Sequence, residues 1–186
     1  YHFFTLLVLI SVRDSLSDDG KKAIQAKFER SYEYITLWST LSEENFEHQL
    51  LLVQAELARE EGREIEAMQK YEEAIDSARR HGYKQNAAIA SERAGRFCVS
   101  LHLHKMGLNF FREAHYYYAL WGAVGKTQML EQSVLHILKT DAGHASSVAC
   151  EPLSASSSDF GSAELELNSV IRASQTISME IHTEVL

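Results

Sequence analysis

Apolar residues recur at three- and four-residue intervals through most of this 186-residue chain, in blocks parted by glycine or by polar residues suited to helix ends. That spacing places the apolar side chains on one face of an α-helix. It predicts a first helix over residues 2–16. Ser17, Asp18 and Asp19 then cap and charge the start of a second, which runs to about residue 41 with Ile24, Phe28, Ile35 and Trp38 on its buried side. Ser42, Glu43 and Glu44 open a third helix, in which Leu50, Leu51, Val53, Leu57 and Ala58 keep the helical spacing, and Gly62 closes it. The fourth covers residues 64–80, with Ile65, Met68, Tyr71, Ile75 and Ala78 as its stripe. Arg79, Arg80 and His81 suit its negative end, and Gly82 closes it. An alanine-rich fifth helix is predicted over 85–102, an aromatic-rich sixth over 105–121 closed by Gly122, and a seventh over 126–139.

The period vanishes between residues 141 and 161, where Ala, Ser and Gly dominate around Pro152. Such a stretch buries too little apolar surface to offset the entropy of ordering, so a flexible linker is expected there. A last helix is predicted over 162–186, with Leu167, Val170, Ser174, Ile177 and Ile181 alternating at three and four residues. The seam suits a coiled-coil connector, through which the chain could associate, or the amphipathic first helix of a following domain.

The third and fourth helices are echoed in the fifth and sixth at a spacing of 40 residues. Ala55, Ala67, Tyr71, Ala74 and Gly82 become Gly95, Gly107, Phe111, Ala114 and Gly122. Small residues return where two helices approach closely, and an aromatic returns where a helix fills the space beside its neighbour. A fixed period of this length marks stacked helix pairs, none able to bury its apolar face alone. With Trp121, these positions are the structural residues of the repeat: small ones set the helix approach, while Tyr71, Phe111 and Trp121 are expected to fill the core. The fold class is therefore all-α, a solenoid of antiparallel helix pairs over residues 1–140, a linker over 141–161 and a connector helix over 162–186.

A net charge of −8 argues against nucleic acid or an anionic membrane as partner, since those surfaces need clustered Lys and Arg. The apolar run from Phe3 to Val12 spans 10 residues, against about 20 needed to cross a bilayer. Cys98 lies in a helical apolar pattern and Cys150 in the linker, so no disulfide framework is expected and a reducing, cytoplasmic setting fits. The chain starts at Tyr1 without methionine and ends within a helical pattern, which reads as a piece of a longer protein.

Candidate chemistry is thin. Gly125-Lys126-Thr127 resembles the end of a phosphate-binding loop, but Leu120 stands where that loop needs glycine and a helix, not a strand, precedes it. His102 and His104, two apart, point about 200° apart on a helix and share a metal ion poorly. His81 suits a helix end, and His182 lacks the neighbours of a phosphoacceptor. Glu60, Glu61, Glu64, Glu66, Glu72 and Glu73, interspersed with Arg59, Arg63 and Lys70, read as a solvated face with i,i+4 pairs. Tyr116, Tyr117, Tyr118 and Trp121 could wall a peptide site, yet helical spacing assigns at least half of them to the core. Ser154, Ser156, Ser157 and Ser158 are candidate phosphorylation sites. No catalytic residue, cofactor or metal ligand is assigned within the segment.

The run from Glu56 to Met68 with Tyr71, Ala74 and Ile75, then Gly82, Gln85, Asn86, Ala88, Ala90, Glu92, Ala94 and Phe97, then Arg112-Glu113-Ala114 with Tyr116, Tyr118, Trp121-Gly122-Ala123 and Lys126, together resemble one family. It is the helical, tetratricopeptide-like region of large multidomain hybrid sensor histidine kinases, fungal members included. Val170 to Ser178 with Glu180 and Ile181 resembles the helix that leads into their GAF domain. The resemblance implies a non-catalytic scaffold between a kinase-like and AAA-type ATPase half, which uses ATP and Mg, and a GAF sensor with a phosphorelay core. It implies partners among the modules of the same chain and a repeat surface open to another protein. The other readings are a stand-alone repeat adaptor that binds a peptide in its concave groove, and an ATPase-plus-repeat transcriptional regulator.

Overall fold

The computed structural model describes residues 1–13 and 15–145, and every regular element among them is helical. In order these are α1 (His2–Arg13), α2 (Asp18–Leu41), α3 (Glu43–Glu60), α4 (Glu64–Arg80), α5 (Lys84–Ser100), α6 (His104–Trp121) and α7 (Val124–Ala145). The chain divides into two compact units, Tyr1–Val134 and Leu135–Leu186, and the packing that follows belongs to the first.

Helix ends follow local chemistry. Ser17 caps α2, its hydroxyl accepting from the Gly20 amide at 3.3 Å, with Asp18 and Asp19 in the first turn. Ser42 stands at the start of α3 as expected but makes no side-chain cap there; its Oγ accepts from the Asn45 amide group at 2.7 Å instead. From α3 onward the ends obey a stricter rule. Gly62, Gly82, His102 and Gly122, each 20 residues after the last, all take a left-handed φ, of 73°, 78°, 60° and 80°. The next residue's amide then reaches back to a carbonyl five earlier: Arg63 to Ala58, Tyr83 to Ala78, Leu103 to Cys98, and Ala123 to Tyr118, at 2.8 to 2.9 Å. This is the Schellman closure of a helix C-terminus, which absorbs carbonyls the helix leaves over. The 40-residue echo is thus two copies of a 20-residue unit, one helix and one turn.

The register explains the revised end of α5. His102 does not continue α5 as predicted; it occupies the left-handed turn, and His104 opens α6. The geometry assumed for the two histidines on one helix therefore does not hold, and their rings lie 6.1 Å apart across the turn. α7 also runs to Ala145, past the predicted end at residue 139 and into the first residues of the expected linker. The remainder of that linker and the connector helix at 162–186 lie outside the described residues, as do Cys150, His182 and the candidate phosphorylation serines.

α3 with α4 and α5 with α6 form the tightest antiparallel pairs. α4 packs on α5, α2 on α3, and the odd-numbered helices touch one another, α1 on α3 and α3 on α5. That is the connectivity of a stack of helix pairs in which α1, α3 and α5 share one side. The residues of the echo do what their sizes imply. Ala55, Ala67, Tyr71, Ala74 and Ala114 are fully buried and Phe111 nearly so. Gly95 and Gly107 face each other where α5 crosses α6. A Cβ on Gly95 would lie 2.8 Å from the Phe111 ring and 3.1 Å from the Gly107 carbonyl; one on Gly107 would lie 2.8 Å from Val99 and 3.0 Å from the Gly95 carbonyl. Trp121, expected in the core, is instead 47% exposed. It ends α6, at the position His81 holds in the preceding pair, and rests only its ring beside Tyr118.

Two glycines and a histidine make the packing testable. Gly95→Ala gains up to about 1 kcal/mol in helix propensity. The overpacking against Phe111 costs about 1–3 kcal/mol, so a net loss is expected. Gly125, in α7 with no atom within 4 Å of an added Cβ, should gain stability as alanine. His102→Gly should gain about 1 kcal/mol by relieving the left-handed strain. Urea unfolding midpoints should therefore place both latter variants above the native chain and Gly95→Ala below it.

Candidate functional site

The two most buried carboxylates among the described residues, Glu56 and Glu92, link the helix pairs. Glu56 sits in the apolar stripe of α3, one turn after Leu52, and is buried. Its Oε1 accepts from the Tyr71 hydroxyl of α4 at 2.7 Å, and its Oε2 takes Arg59 Nε of α3 at 3.2 Å and an Arg93 amine of α5 at 3.0 Å. Glu92 repeats the plan one pair later. It accepts from the Tyr118 hydroxyl of α6 at 2.5 Å, from Arg96 of its own helix at 2.8 Å, and from Lys126 Nζ of α7 at 2.9 Å. The Lys126 ammonium also lies 5.3 Å from the centre of the Tyr118 ring, within cation–π range. Each node joins one helix to its pair partner through a tyrosine and to the next pair through a cation.

These surroundings set protonation states. Burial, then the adjacent Glu56 carboxylate, pushes the Tyr71 phenol far above its ordinary value, so it acts only as a donor. Tyr118 is raised by burial and by its bond to Glu92 in the same way. Burial opposes ionisation of Glu92, but the bonds from Tyr118, Lys126 and Arg96 together hold its carboxyl below the usual range. Burial pushes the Cys98 thiol up to about 11, which leaves it an inert core residue.

Beside the Glu92 node runs a groove of about 530 Å³. One wall is the free side of α1, where Phe4 is 48% and Val8 59% exposed. The other is the polar edge of α5 with Arg93 and Arg96, continued by Lys126. The buried side of α1, with Phe3, Leu6, Leu7 and Ile10, is committed to the core shared with α3. Among the described residues the groove-facing side has no such partner.

A third polar cluster ties α3 to α5. His48 is buried, its Nε2 bonded to the Asn86 amide group at 2.5 Å and its ring stacked on Tyr83 at 4.5 Å. Among the described residues its Nδ1 has no hydrogen-bond partner. Burial first, then repulsion from His81, lowers its pKa from 6.5 to about 4, against a small opposing pull from Glu47.

The features singled out in the sequence fall largely outside these nodes. Gly125-Lys126-Thr127 lies in the first turns of α7, and its lysine is taken up by Glu92 rather than by a loop that could cradle phosphate. His81 is the C-terminal cap residue of α4, as expected. Among the described residues no three His, Cys, Asp or Glu side chains form a metal set. In the acidic stretch, Arg63 pairs with Glu61 and Glu66 and Lys70 with Glu73, mostly at i,i+3 spacing rather than i,i+4, while Arg59 turns inward to Glu56. Of the four aromatics near the end of α6 only Tyr118 is buried. Tyr116 and Trp121 are exposed and Tyr117 lies between, so the core claims fewer than the spacing suggested. The two nodes themselves went unread. Their signal is a glutamate placed within an apolar stripe, with an arginine one turn later.

The chain belongs to the family described as CHK1-like, TPR repeats, which matches residues 1–133. Neither the curated proteins nor the solved structures yielded a match.

Two measurements test the nodes. Tyr71→Phe removes a bond to a buried carboxylate and should cost about 1.5–3 kcal/mol; Tyr118→Phe should cost less, because Glu92 keeps both cations near solvent. His48 has a folded pKa of about 4 against 6.5 unfolded, so its contribution is complete above 6.5 and is lost as pH falls from there toward 4. Urea midpoints should decline between pH 7 and 5 in the native chain and stay level in His48→Gln. Below that range Glu92 adds its own loss in both, since its stabilisation disappears as its depressed carboxyl protonates.

Proposed function

We propose that this chain is the helical scaffold of a hybrid sensor histidine kinase, joining a kinase-like and ATPase half to a GAF sensor and phosphorelay half. Membership of the CHK1-like TPR-repeat family over residues 1–133 supports the helical repeat scaffold, and the kinase context rests on the resemblance of the motifs from Glu56 to Lys126. The geometry supports a mechanical role. The buried carboxylates, tyrosines and cations of the nodes bond to one another across helix pairs, so a displacement at one end of the stack is passed to the next pair through charge-assisted bonds as well as packing. In this proposal ATP and Mg belong to the parent protein, the work is done in the cytoplasm, and the segment itself performs no chemistry. Among the described residues no helix is long and apolar enough to cross a membrane.

The open groove beside α1 favours a second reading, a repeat adaptor that holds a separate protein, and the two roles are compatible in one chain.

In the parent protein, replacing both Tyr71 and Tyr118 by Phe should leave histidine autophosphorylation from ATP intact while reducing its response to the signal. Equal response in native and variant proteins would count against mechanical coupling. Phosphate transfer from ATP by the purified 186-residue chain would overturn the claim that the segment is catalytically silent.

A further inference from the structure

We propose that the groove between α1, α5 and the start of α7 receives an amphipathic helix of a partner protein, one whose apolar stripe is flanked by carboxylates. The proposal deepens the scaffold reading by giving its open surface a defined occupant.

The apolar wall is itself helical in spacing. Phe4, Val8 and Ser11 project toward the groove at four- and three-residue intervals on α1, and Phe4 and Val8 remain about half exposed. A second helix laid along α1 can set residues at i, i+3 or i+4 and i+7 against that stripe, the arrangement by which helices fill apolar grooves. α1 is 12 residues long, so about three turns of partner helix would cover it.

The opposite wall selects charge. The two nodes hold four cations (Arg59, Arg93, Arg96 and Lys126) against two carboxylates (Glu56 and Glu92), an excess of two positive charges. This excess stands on a chain whose net charge is −8. The carboxylates are the buried members, whereas the Arg96 side chain is 61% exposed. The groove thus presents guanidinium and ammonium groups outward, with hydrogen-bond donors left beyond those spent on Glu56 and Glu92, because an arginine carries five donors. A partner carboxylate on the α5 side would gain paired donors there, while a basic partner would face repulsion.

The test is selection from a displayed library of random peptides of about sixteen residues on the full purified chain, followed by anisotropy titration of an enriched peptide with a fluorescent label. Enriched sequences are expected to share an apolar i, i+3 or i+4, i+7 pattern with Asp or Glu on one flank. Binding of that peptide should weaken by about tenfold or more in Phe4→Ser and in Arg96→Glu, a hot-spot loss. It should stay unchanged in Ile65→Ser, an exposed apolar site on α4. Circular dichroism melts would confirm that each variant is folded, and Val8→Asp provides a second probe of the apolar wall should Phe4→Ser melt early. Enrichment of basic peptides, failure to enrich any sequence, or binding indifferent to Phe4, Val8 and Arg96 would each overturn the proposal. So would a concentration-dependent dimer of the chain that Val8→Asp abolishes, since the groove would then hold a second copy. None of these outcomes bears on the signal response of the parent protein, so the scaffold reading stands or falls separately.

Discussion

From α3 onward the stack depends on a backbone constraint: each helix reverses direction within three residues, and each of these turns passes one residue through the left-handed region. Gly62, Gly82 and Gly122 meet that demand without strain, and His102 meets it against its preference. Everything larger follows from the regularity of that turn. Because α3 to α6 are 17 or 18 residues long and each turn is the same, equivalent faces return to the same side every second helix. Ala58, Ala78, Cys98 and Tyr118, which supply the carbonyls that close the turns, are all buried, so turn closure and core filling fall on the same residues.

Within this frame, close approach and polar linkage divide the labour. Inside a pair, Gly95 and Gly107 let α5 and α6 meet backbone to backbone, where dispersion contacts are dense but carry little directional information. Between pairs the contacts are fewer, and there Glu56 and Glu92 supply directional bonds that a shifted register would break. Buried ionic groups are weak evidence for net stability, since desolvation offsets much of the attraction. Their placement at the joints between pairs suits them to fixing which residue meets which. The same placement brings arginine and lysine to the groove of an otherwise acidic chain, so the charge of the groove is a by-product of how the pairs are joined.

Much of this was legible in the order of residues. Among the described residues seven helices follow the predicted order, Ala55, Ala67, Ala74, Ala114, Tyr71 and Phe111 are buried, and Gly62, Gly82 and Gly122 take the turns. The halved period was hidden because His102 breaks the run of glycines, and a histidine at that position reads as the last residue of a helix. Trp121 is exposed although its spacing suits the core, because periodicity assigns a face but not an end: it stands on the final turn of α6. Glu56 and Glu92 escaped notice because a glutamate signals solvent unless its donors are known, and those donors come from residues 15 to 37 positions away. Local pattern carries no trace of such distances.

The 20-residue register also limits how such a chain can change in length. One residue added inside α4 or α5 would turn every later side chain by about 100° around the helix axis and carry the turn glycine off its mark. Gly95 would then lose Gly107, and Glu92 would lose Tyr118 and Lys126 together. Gradual lengthening is therefore closed to the repeat. It can grow or shrink by whole helix pairs, by duplication or loss of a 40-residue block, while single-residue insertions and deletions are confined to segments outside the register.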